Sequence, residues 1–151
     1  MIRVLFVCHG NICRSPMAEF LFKDMVKRNG QEKDFYIESC ATSSEEIGNP
    51  VHSGSKRILN SLGIDCSLKR ARRIRYEDYD RFDYILLMDE ENRWGLRYVI
   101  PNDPKNKIHN LLEYAGLNRD IRDPWYTGNF KETYSDIMLG LNAFYNYLIK
   151  K

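Results

Sequence analysis

Four short apolar runs punctuate the chain, and between them apolar residues recur at helical spacing. The first run, Val4 to Val7, is continuous and reads as a strand buried on both faces. The second, Phe35 to Cys40, alternates Phe35 and Ile37 with Tyr36 and Glu38. Tyr84 to Met88 predicts a central strand, and Ile108 to Leu112 predicts the last one. Met17 to Asn29 places Met17, Leu21 and Met25 on one stripe and closes at Asn29-Gly30, a helix C-terminal signal. Val51 to Leu62 predicts a second helix, weakened early by Gly54 and stopped by Gly63. Asp89, with Asn92 three residues on, reads as the cap of a helix running through Trp94 and Leu96 to Tyr98. Pro101 and Pro104 bracket a loop, and residues 130 to 149 form a last helix along Ile137, Leu141, Phe144 and Leu148. Strands alternating with helices predict an α/β fold. It is a central four-stranded parallel sheet flanked by helices on both faces, with ligands at the strand C-termini.

Length and composition narrow the class. The 151 residues form one domain, residues 1–151, large enough to bury a core. Hydrophobic residues at 43% and charged residues at 29% are ordinary globular values, and a net charge of +2 gives no general attraction to nucleic acid. No apolar run approaches membrane-spanning length and the start lacks a signal-peptide pattern. Four cysteines without a disulfide-scaffold spacing fit a reducing, cytoplasmic setting. They form no paired C-x2-C unit, and His9, His52 and His109 are scattered, so neither a metal nor another cofactor is expected. The densest basic run, Lys69 to Arg75, is followed at once by Glu77, Asp78 and Asp80. It reads as a surface loop with local charge pairs, or more sharply as an electrostatic collar for an anionic substrate. No aromatic residues interleave with it, which argues against a nucleic-acid surface.

The chemistry concentrates just after the first strand, in Cys8-His9-Gly10-Asn11-Ile12-Cys13-Arg14-Ser15-Pro16. A strand feeding a tight loop and then a helix start directs backbone N–H groups at an anion. Ser15 is the N-cap candidate and Pro16 stands at the first helical position. The amides from His9 to Arg14 can point inward, with Gly10 easing the close approach of the backbone. Arg14 adds a planar fork that meets two phosphate oxygens at once. Loop, arginine and helix dipole together favour the thiolate of Cys8, to which Ser15 can donate a hydrogen bond. Such a site can bind a phosphate and attack it.

This nine-residue segment is similar to the C-x5-R signature of the low-molecular-weight protein tyrosine phosphatases, including the Asn, the second Cys and the Ser-Pro. The resemblance implies Cys8, Arg14 and a later aspartate as catalytic residues, with His9, Gly10, Asn11, Ile12, Cys13 and Ser15 binding the phosphate of phosphotyrosine-containing protein substrates. The aspartate is Asp123 of Arg122-Asp123-Pro124-Trp125-Tyr126, placed before the last helix as in that family. Asp-Pro alone is common turn chemistry. Here Pro124 stiffens the backbone, and Trp125 and Tyr126 supply apolar walls that favour a protonated acid and can stack on an aromatic ring. The chain departs from the family pattern in three places. Glu45 stands where many members have a rim aromatic, Lys69 near a histidine that supports the loop, and Cys40 at a position often small. Two other readings share parts of the pattern. Thiol-relay arsenate reductases have relay cysteines after the third strand, whereas residues 67 to 151 here contain none. A phosphocarrier or phosphoprotein-binding module has no need of a leaving-group acid.

Overall fold

The apolar run at the N-terminus becomes β1 (Ile2–Cys8), with Val4 to Val7 wholly buried as a strand covered on both faces requires. The computed structural model describes residues 1–151. From β1 the chain passes into α1 (Arg14–Arg28), β2 (Phe35–Ala41), α2 (Ser53–Ser61), the short α3 (Asp78–Arg81) and β3 (Tyr84–Leu87). It continues through α4 (Glu90–Leu96), β4 (Ile108–Asn110), the one-turn α5 (Pro124–Thr127) and α6 (Phe130–Ile149). The four strands form one parallel sheet in the order β2-β1-β3-β4.

Alternation along β1 divides the core. Val4, Phe6 and Cys8 face a layer built from α1, α2 and α6, where Phe22 meets Phe6, Phe35 and Phe144 edge-on or tilted. Leu5 and Val7 face the opposite layer, with Tyr79, Phe82, Leu96 and Ile100 around α3 and α4. Helices therefore cover both faces, and the C-terminal ends of β1 and β3 open side by side at the crossover.

Several boundaries differ from the sequence expectation. The first helix starts one residue before Ser15, with Cys13 as its N-cap and no side-chain capping bond, so Ser15 and Pro16 are second and third. Ser15 cannot serve as a cap because its hydroxyl is turned inward to Cys8. Pro16 still costs nothing there, since first-turn N–H groups lack intrahelical partners. The second helix begins at Ser53, and His52 caps it by accepting from the Gly54 amide at 3.0 Å through Nδ1. Gly54 is more than a weak helix former: a Cβ there would lie 2.4 Å from the Phe130 ring. The predicted last strand shortens to Ile108–Asn110, because Leu111 to Ala115 coil into a 3-10 turn that buries Leu111 and Leu112 against α6. No helix is long and apolar enough to cross a membrane.

Candidate active site

The loop between β1 and α1 is held by its carbonyls. His9 O accepts from the Ser43 amide (3.1 Å) and hydroxyl (2.9 Å), and Ile12 O from the His52 amide at 2.8 Å. Cys13 O accepts from Ser55 Oγ at 3.1 Å. With those carbonyls tied outward, the peptide planes leave N–H groups for the interior. The Asn11 and Ser15 amides point at Cys8 Sγ from 3.3 and 3.4 Å, and Ser15 Oγ lies 3.0 Å from the same sulfur. The sharp turn is taken by Asn11, at φ 59°, a conformation that Asn tolerates better than most residues. Gly10 does not have a positive φ; its bare Cα instead makes room for Glu46, whose Cγ would lie 3.3 Å from a Cβ there.

Arg14 is 2% exposed and is aimed by three groups. Its Nη1 donates to Asp89 Oδ2 at 2.6 Å and to Ile121 O at 2.8 Å, and its Nη2 reaches Asp123 Oδ2 at 3.4 Å. Burial opposes its charge, but Cys8, Asp89 and Asp123 outweigh that and hold its pKa above the ordinary arginine value. Asp89 does cap α4, in a reciprocal box with Asn92, as its spacing predicts. Its second oxygen orients Arg14, which the local sequence does not signal, because that contact spans 75 residues.

Asp123 stands at the N-cap of α5, accepting from the Trp125 amide at 3.0 Å through Oδ1 while Oδ2 faces Arg14. Trp125 and Tyr126 follow, 60% and 84% exposed, with Trp125 edge-on to His52. Cys8, His9, Gly10, Ile12, Cys13, Arg14, Asp123, Trp125 and Tyr126 thus line one cavity of about 120 Å³, and Glu45 and Glu46 complete its rim. Asn11 and Ser15 stay behind the loop, buried, as supports for Cys8 rather than as lining. Glu45 lies 3.0 Å from His9 Nε2 and Glu46 accepts from Asn49 Nδ2 at 2.5 Å. No group of three or more His, Cys, Asp or Glu side chains gathers as a metal site.

No residue of the basic run lines the cavity. Lys69 turns inward to Ser39 O at 2.8 Å and Glu19 Oε1 at 3.1 Å. Arg72 pairs with Glu38 and Asp78, and Arg73 Nε donates to Thr42 O. Local pairing, the plainer of the two sequence readings, describes Arg72. Lys69 does reach the loop's support, and Cys40 sits wholly buried with its carbonyl 3.4 Å from Ser15 Oγ.

Comparison with known proteins adds a family context. Residues 3–151 match the family model described as low molecular weight phosphotyrosine protein phosphatase. The chain is 43% identical over 142 residues to the low molecular weight protein-tyrosine-phosphatase YfkJ of Bacillus subtilis, covering 93% of this chain and 91% of that protein. It is 37% identical over 154 residues to PtpA of a Staphylococcus aureus strain, covering 99% and 96%. The crystal structure of YfkJ superposes with a TM-score of 0.94 at 41% identity, over 99% of this chain and 96% of that one. That of the Streptococcus pyogenes enzyme SP-PTP gives 0.86 at 40% identity, over 98% and 93%.

Proposed function

This chain belongs to the low molecular weight phosphotyrosine protein phosphatase family, and we propose that it dephosphorylates phosphotyrosine in proteins through a phosphocysteine on Cys8. The convergence of the Asn11 and Ser15 amides and the Ser15 hydroxyl on one sulfur at the floor of the cavity carries this reading. The phosphate enters above Cys8, its oxygens taking the loop amides and the Arg14 fork. Cys8 sulfur attacks phosphorus as the ester P–O bond breaks, and Asp123 gives its proton to the departing phenolate. Asp123 then takes a proton from the water that attacks the phosphocysteine, which releases inorganic phosphate and regenerates the thiolate.

Two contacts support these roles. The Asp123–Arg14 contact is long at 3.4 Å, so an arriving phosphate can take that side of the fork and leave Asp123 to the leaving group. Asp89 holds the other side at 2.6 Å, so the guanidinium keeps its orientation throughout. A reducing, cytoplasmic setting suits a thiol nucleophile, and all four cysteines are free. Hydrolysis of p-nitrophenyl phosphate and of a phosphotyrosine peptide, measured with a chelator present, tests the reading. Turnover of both is expected; loss of turnover on chelation, or tight phosphate binding without turnover, contradicts it.

A further inference from the structure

We propose that Glu19, aimed by Lys69, is a positioning residue that fixes the direction of a buried hydrogen-bond chain so that Ser15 donates to Cys8. The inference rests on Cys8 being the nucleophile. Asn11 Nδ2 donates to both Ser15 Oγ (2.7 Å) and Ser39 Oγ (2.9 Å), so neither serine spends its own proton on Asn11. Ser39 Oγ donates to Glu19 Oε1 at 2.6 Å. Ser15 then has its proton for one of two acceptors, Cys8 sulfur at 3.0 Å or Cys40 O at 3.4 Å, and the sulfur is the nearer.

Turned over, the Asn11 amide would present its oxygen to both serines and draw the Ser15 proton away from Cys8. Two groups oppose that state. The Arg72 amide donates to Asn11 Oδ1 at 3.2 Å, and Glu19 accepts the Ser39 proton. Glu19 is held for this by Lys69 on Oε1 at 3.1 Å and Lys23 on Oε2 at 2.6 Å. A carboxylate between two ammonium groups offers only acceptors, so the direction is set from that end. Glu19, Ser39, Asn11 and Ser15 are all buried, so no water competes for the protons. Arg14, whose charge acts on Cys8, is held by Asp89, Ile121 O and Asp123 and touches neither Glu19 nor Lys69.

The test is the rate of Cys8 alkylation by iodoacetamide on the folded full-length protein, with the labelled cysteine identified by mass spectrometry, expressed as a ratio of pH 6 to pH 9. Glu19→Leu is expected to lower that ratio about tenfold, the effect of one hydrogen bond to a charged acceptor. Glu19→Gln keeps an oxygen for Ser39 and should stay within about twofold of the parent. Lys69→Met should fall about threefold, with Lys69→Arg restoring the ratio; this pair decides the matter should Glu19→Leu fail to fold. A parental ratio in Glu19→Leu, or in Lys69→Met where only that variant folds, overturns the proposal even if thermal stability drops. So does a fall in Glu19→Gln as deep as in Glu19→Leu. Alkylation needs no turnover, so a failure of the phosphatase reading would show separately, as absent hydrolysis.

Discussion

At the scale of single residues, the proposed reaction has Asp123 exchange partners while Arg14 keeps its hold on Asp89. Asp123 is shared at rest between the Trp125 amide and Arg14, and in the proposed turnover it gives its proton to the leaving oxygen. Asp123→Ala should lower kcat by about 10²–10⁴-fold for poor leaving groups, and by less for phenols that depart easily. An equal fall for both classes would show that Asp123 is not the proton donor. Cys13 is the counterpart to Cys8. Burial, followed by the nearby Cys8, pushes its thiol up to about 12, so at neutral pH it remains protonated. The sign follows: an unfolded thiol titrates near 9, so this contribution to stability is complete below that value and is lost as pH rises toward 12. Peroxide should therefore oxidise Cys8 first, and the Cys13 thiol should condense with the sulfenate, releasing water and forming a disulfide that thiols reverse. Cys13→Ser should keep its activity and inactivate irreversibly; its recovery by dithiothreitol after strong oxidation would count against this.

At the scale of elements, what the sequence made legible was periodicity, and what it hid was long-range packing. Val4 to Val7 and Tyr84 to Leu87 were readable as central strands because burial on both faces leaves an unbroken apolar run. The Cys8 to Arg14 loop was legible because its spacing carries its chemistry locally, whereas Asp123 stood out through the family resemblance, Asp-Pro alone being turn chemistry. The local sequence signals Asp89 only as a cap and gives no sign of the inward turn of Lys69, since both contacts depend on partners dozens of residues away. The shortened β4 has a similar cause. Leu111 turns out of the strand to fill a notch that Gly140 leaves in α6, where a Cβ would stand 2.6 Å from Leu111 Cγ. Gly140→Ala should therefore destabilise by about 1–2 kcal/mol, overpacking of about 1–3 kcal/mol being partly offset by better helix propensity. Urea unfolding measures it, and an unchanged or raised midpoint would mean that Leu111 moves aside freely.

At the scale of the whole molecule, charge is distributed against the formal balance. The chain is +2 overall, yet Lys69 and Arg72 are spent on internal carboxylates, while Glu45, Glu46 and Asp123 line the mouth of the cavity. Trp125 and Tyr126 line the same cavity as Glu45, whose carboxylate cannot stack on a ring as an aromatic does. Glu45→Trp should lower KM for aryl phosphates with little change in kcat, because it adds binding common to ground and transition states. An unchanged KM across several aryl substrates would show that the rim at residue 45 does not meet the ring. The central claim is that one thiolate at the floor of this cavity carries the phosphoryl group. Steady-state hydrolysis of p-nitrophenyl phosphate by Cys8→Ser, with vanadate binding followed on the same protein, tests it most directly. Turnover should vanish while vanadate still binds through the loop amides and Arg14; substantial hydrolysis by that variant would contradict the account.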